Sequence, residues 1–183
     1  SLIALIAPAL IAQGADVSAK IILRADKQTV HGEHAQAGPG NVVVWLSPLQ
    51  AIDPKPPTTP HPPYRLLQKD KQFHPHLLVV PTGTSVEFPN ADPFFHNVFS
   101  LFNGKRFDLG LYESGTSRSV KFDREGVSYI FCNIHPEMGA VVLALSTPYY
   151  TISNADGTVM IRGVPPGTYR LNLWSENAQL ADP

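Results

Sequence analysis

The chain of 183 residues has a single cysteine, Cys132. No internal disulfide can therefore staple it. An odd cysteine in an exported chain is expected to be paired with another molecule, reactive, or metal-bound. Long basic runs are missing as well, and the formal net charge is only -1, which argues against nucleic acid as a partner. No long amphipathic helical pattern is visible. The apolar run Leu2–Ala12 is too short to span a bilayer comfortably. What is abundant is proline, at 18 residues, with 13 glycines. Both punctuate strands and turns more often than helices. With 43% hydrophobic residues to supply a core, the expectation is an all-β protein of one large or two small domains.

The cysteine sits in Phe131-Cys132-Asn133-Ile134-His135-Pro136-Glu137-Met138. A histidine follows it by three positions and a methionine by three more, giving C-x2-H-x2-M. Taken singly, a cysteine or a methionine is most often a small or flexible core filler. Together, thiolate, imidazole and thioether are the ligands that suit copper moving between its two oxidation states. A blue-copper site needs two histidines and one cysteine, with a weak axial methionine. Cys132, His135 and Met138 supply three of the four. The best candidate for the fourth is His96, in Phe94-Phe95-His96-Asn97-Val98.

The pairing of H-N-V-F with a later F-C-N-I-H-P-E-M resembles the cupredoxin (blue copper) family. The short spacing of the last three ligands is similar to amicyanin; plastocyanin and pseudoazurin have a longer gap before the methionine. The run from Gln72 to the Met138 loop resembles bacterial cupredoxins of the methylamine-utilization-like type. The resemblance covers the middle of the chain strongly and both ends weakly. It implies a Greek-key sandwich in which His96, Cys132, His135 and Met138 hold one type 1 copper. It also implies that Asn97 helps tie the two ligand loops together. Asn133 is a candidate for a backbone or loop-closing role. Pro136 would stiffen the loop and leave the edge of His135 facing outward. His135, with Phe94 or Phe95 beside it, is then the candidate electron port; ordinary core packing is the other reading of both rings.

In chain order, residues 1–15 resemble the remnant of a secretory signal without its basic start, with cleavage fitting after Gly14 or Ala15. An apolar first element or a membrane-tethering stub is the alternative. Val17–Arg24 and Asn41–Leu46 read as strands. His31 and His34, between them, have no third ligand nearby and read as solvated loop histidines. Residues 51–65 are a proline-rich linker, and His61 within it has no assigned role. His74-Pro75-His76 has the H-x-H form used by multicopper oxidases. Cys132, however, is flanked by Phe131 and Asn133 rather than by histidines, which argues against an adjacent trinuclear cluster. His74 and His76 read as surface residues at a strand start.

The phrase Gly163–Leu171, G-V-P-P-G-T-Y-R-L, resembles a carboxypeptidase-regulatory-like, transthyretin-type β-sandwich, and Asn41–Leu46 looks like one of its opening strands. The expected organisation is a cupredoxin domain over 66–147, inserted in or joined to a second small sandwich made from 16–50 and 148–183. Functionally, the expectation is a type 1 copper protein carrying single electrons by outer-sphere Cu(II)/Cu(I) transfer, periplasmic or otherwise exported. It would not be an enzyme. Its partners would be redox proteins, with the membrane involved only if the N-terminal segment is retained. Copper storage or delivery is the alternative.

Overall fold

The computed structural model describes residues 14–22, 40–51, 63–101 and 104–176. The run Leu2–Ala12, the histidines His31, His34 and His61, and most of the proline-rich segment lie outside the described residues. Among the described residues the secondary structure is all β, and no helix is long and apolar enough to cross a membrane. Two compact units are present: the described residues of Ser1–Lys55 with Tyr149–Pro183, and those of Pro56–Pro148.

The first two strands are β1 (Ala15–Lys20) and β2 (Val43–Pro48). The second unit then runs through β3 (Tyr64–Arg65), β4 (Leu67–Lys69), β5 (Gln72–His74), β6 (Leu77–Pro81) and β7 (Thr84–Pro89). It continues through β8 (His96–Ser100), β9 (Phe107–Tyr112), β10 (Ser117–Phe122), β11 (Gly126–Phe131) and β12 (Gly139–Leu145). Its two larger sheets have the orders β6-β12-β11-β8-β9 and β10-β7-β3, and β4 pairs antiparallel with β5 in a separate two-stranded hairpin. The first is mixed, because β6 runs parallel to β12 while β11 and β12 form an antiparallel hairpin. The chain changes sheet between β6 and β7, β7 and β8, β9 and β10, and β10 and β11. These crossings set β8 beside β11, a Greek-key arrangement.

Period-two patterning explains how the two sheets close on each other. In β7, Val86 and Phe88 point inward, and in β10, Val120 and Phe122 do so, while their neighbours stay wetter. They meet Val80, Val98, Ile130, Ala140, Val142 and Ala144 from the mixed sheet in one core. Cys132 and Met138 belong to that same core, so the site loop is anchored in the packed interior.

In this unit one glycine is demanded by close approach. Gly104 has φ 79°, a left-handed conformation that side chains disfavour. A Cβ there would lie 2.5 Å from the Val127 carbonyl oxygen and from Ser128 Oγ. Gly104→Ala is therefore expected to destabilise this unit by about 1–3 kcal/mol from the clash alone, read as a lower urea midpoint. An unchanged midpoint would contradict the packing described for β11.

After Pro148 come β13 (Tyr150–Ile152), β14 (Thr158–Val164) and β15 (Tyr169–Trp174). They pair with the strands at the start of the chain: β2 lies between β13 and β15, and β1 pairs with β14, all antiparallel. Val42, Val44, Leu46, Tyr149, Val159 and Ile161 form the core of this unit.

Candidate metal centre

His96 opens β8 and is completely buried. The loop before it is shaped by Asn90. The Asn90 side chain accepts a hydrogen bond from the Asp92 N–H and donates to the Phe94 and Tyr112 carbonyls, a side-chain mimic of a backbone turn. The turn delivers Asp92 and His96 to the same place: Asp92 Oδ2 lies 2.8 Å from His96 Nε2. The Asp92 carboxylate also accepts the backbone N–H groups of Asp70 at 2.7 Å and Lys71 at 3.0 Å. Burial pushes this carboxyl up, and the bonds from Lys71, His96 and Asp70 outweigh it, so the group is held below the usual carboxylate range.

Cys132, His135 and Met138 come from the connection of the β11–β12 hairpin, whose last register pair is Phe131 with Gly139. Cys132 and Met138 are buried and His135 is half-buried. Pro136 and Glu137 occupy an exposed turn, which the Met138 N–H closes by donating to the His135 carbonyl at 2.9 Å. His76 steadies the end of the loop, with Nδ1 3.0 Å from the Gly139 carbonyl and its own carbonyl accepting the Val141 N–H.

Three ligand atoms converge. Cys132 Sγ is 3.8 Å from His96 Nδ1 and 3.8 Å from His135 Nδ1, and the two nitrogens are 3.1 Å apart. A point equidistant from all three lies about 2.1 Å from each, within the roughly 2.0–2.3 Å that nitrogen and thiolate ligands take to a small divalent metal. Among the described residues this is the one cluster of three or more His, Cys, Asp or Glu side chains that could hold an ion. Soft sulfur with two imidazoles suits copper chemically, so the residues fit such an ion.

The surroundings are aromatic and fixed. The Phe94 ring packs against both imidazoles, with centroids 5.2 Å from His96 and 5.5 Å from His135. Of the two rings considered for the electron port, Phe94 lines the site and Phe95 is exposed. Tyr112, paired with His96 across β8 and β9, is buried and donates its hydroxyl to the Phe88 carbonyl. Burial, with a smaller push from Cys132, raises its phenol to about 12 against the lowering effects of Gln68 and Arg118, so it stays neutral.

The remaining residues named from the sequence fall around this centre. Asn97 is buried, but its side-chain N–H donates to Asp108 Oδ1 on β9 at 2.7 Å, and its own oxygen is buried without a hydrogen-bond partner. Asn133 is exposed beside Cys132. His74 and His76 are both exposed, and neither belongs to the cluster of metal-binding side chains. Asp92 was not among the candidate residues read from the sequence. Its position four residues before a candidate ligand was the available signal.

No protein-family model matches the chain, and no curated protein matches it. Similar solved structures were found. A purple cupredoxin from Nitrosopumilus maritimus is 26% identical, with 45% of this chain and 99% of that chain covered and a TM-score of 0.41. The copper-containing nitrite reductase of Thermus scotoductus is 23% identical over 55% of this chain and 26% of its own, with a TM-score of 0.45. Amicyanin from Paracoccus versutus is 19% identical over 48% of this chain and 85% of its own, with a TM-score of 0.40. The described residues of the Pro56–Pro148 unit form a two-sheet Greek-key β-sandwich. Their two facing sheets, their Greek-key crossings and the hairpin loop carrying Cys132 and His135 opposite His96 give that architecture directly. In this unit the centre lies at one end of the sandwich, between the start of β8 and the β11–β12 loop.

Proposed function

We propose that the protein is a type 1 copper protein that carries single electrons outside the cytoplasm, passing them between redox proteins and turning over no substrate of its own. His96, Cys132 and His135 would hold the ion, with Met138 as the weak axial ligand. Copper bound there would supply one-electron Cu(II)/Cu(I) chemistry. The observation that carries this reading is the convergence of one sulfur and two Nδ1 atoms within 3.8 Å of one another in a largely buried site.

The chain's own contribution is to fix those atoms. Cys132 supplies a thiolate, which a bound metal deprotonates outright. His96 is locked from behind by Asp92 and His135 is braced by Phe94, so neither imidazole needs to move when the charge at the centre changes. His135 is the half-exposed member of the set and offers the short route for an electron to a partner. The first and last strands, in this reading, make a carboxypeptidase-regulatory-like sandwich that carries no redox chemistry.

Addition of Cu(II) should produce an intense visible thiolate-to-copper band that disappears on reduction, with a matching EPR signal. Met138→Leu should keep the colour and shift the reduction potential, because the axial ligand tunes the potential without making the band. Loss of the band in that variant would contradict an axial role. A colourless adduct of the wild-type chain that prefers Cu(I) would support copper storage or delivery instead.

A further inference from the structure

Asp92 is a buried carboxylate directly behind a proposed metal ligand. It is 3% exposed, and His96, which it touches, is 0% exposed. A buried charge needs hydrogen-bonding partners to be tolerated, and Asp92 has three: the Asp70 N–H on Oδ1, the Lys71 N–H on Oδ2, and His96 Nε2 on Oδ2. The two backbone donors come from the tight turn between β4 and β5, where Asp70 and Lys71 both take left-handed φ angles of 54° and 55°. That turn directs successive N–H groups at a single carboxylate. A carboxylate is an acceptor only. The ring nitrogen facing it must therefore carry a proton, and in the neutral imidazole that metal binding requires, Nδ1 is then the bare nitrogen, facing Cys132 Sγ and His135 Nδ1.

We propose that Asp92 is a positioning residue that acts on the metal through His96. It fixes the Nε2–H tautomer, presents Nδ1 as a ready ligand, and places a negative charge behind that ligand that favours Cu(II) over Cu(I). The β4–β5 turn holds the carboxylate in place, so a hairpin about 20 residues upstream in sequence tunes the centre without touching it. The part of this inference that concerns copper rests on the function proposed above; the tautomer does not.

The test has two parts. In the wild-type apoprotein, long-range proton–nitrogen NMR of labelled histidine should show His96 protonated at Nε2. A proton on Nδ1 instead would overturn the proposal, with no variant needed. In Asp92→Asn, affinity for Zn(II), used as a redox-silent probe, should fall roughly 10–100-fold, as for loss of other partners behind a metal-bound histidine. The copper potential should rise by about 59 mV for each tenfold loss of Cu(II) over Cu(I) affinity. A folded variant with wild-type Zn(II) affinity and potential would refute the role. Failure of the wild-type chain to bind copper at all would count against the copper reading and leave the NMR result to decide the tautomer.

Discussion

Cys132→Ser should yield a chain that folds and gives no intense visible band with Cu(II). The sulfur is the only thiolate the chain can offer, and the intense colour of such centres comes from charge transfer between thiolate and copper. Serine replaces a soft ligand that is deprotonated on binding with a hydroxyl that is a poor ligand for this metal. Cys132 is buried at the end of β11 and packs in the sandwich core. The substitution leaves a small polar group in its place, so a modest loss of stability, on the order of 1–3 kcal/mol, should accompany the loss of colour. Absorption and EPR of the loaded variant check the first effect, and a denaturant melt of the apoprotein checks the second. A variant that remains intensely coloured would show that the ligand set is wrong.

The largest effect on stability should come from Phe122→Ala. The ring is completely buried between the two sheets, in edge-on contact with Phe107 at a centroid separation of 6.1 Å. Removing it deletes the largest apolar group at the end of β10. The cavity is then walled by hydrogen-bonded strands that cannot collapse into it. Such truncations cost about 3–5 kcal/mol, a large share of the roughly 5–15 kcal/mol that holds a domain together. Phe95→Ala serves as the control. That ring is 55% exposed, and exposed sites away from special features usually change stability by less than about 0.5 kcal/mol. Equal losses in the two variants, by urea unfolding of the apoprotein, would contradict the placement of the core.

Much of the second unit was legible because its signals are local. Val86 with Phe88, and Val120 with Phe122, alternate at period two and are buried as that pattern requires. Cys132, His135 and Met138 lie within seven residues, so their spacing shows in the sequence without any knowledge of the fold. His96 required a guess about topology, and the neighbouring β8 and β11 bring it within reach of the sulfur.

What escaped notice depended on contacts between distant segments. The β4–β5 hairpin turns at Asp70-Lys71, two non-glycine residues in left-handed conformation; the Asn-Gly or Asp-Gly signature of such a turn is missing. Strand β9 is broken in pattern by Gly110 and carries Asp108 on its exposed face. The Asp92–His96 pair exists because Asn90 builds the intervening turn and amides from another hairpin hold the carboxylate. The side chain of Asn97 reaches Asp108, a residue on a strand that had not been foreseen. That Phe94 rather than Phe95 packs against the imidazoles likewise depends on the folded loop and not on any local pattern.

The most direct test of the centre is X-ray absorption at the copper edge on the wild-type chain loaded with one equivalent of Cu(II). An inner coordination sphere of one sulfur and two imidazole nitrogens, kept with little change on reduction, is the expected result. A sphere with no sulfur, or one that rebuilds when the metal is reduced, would contradict it.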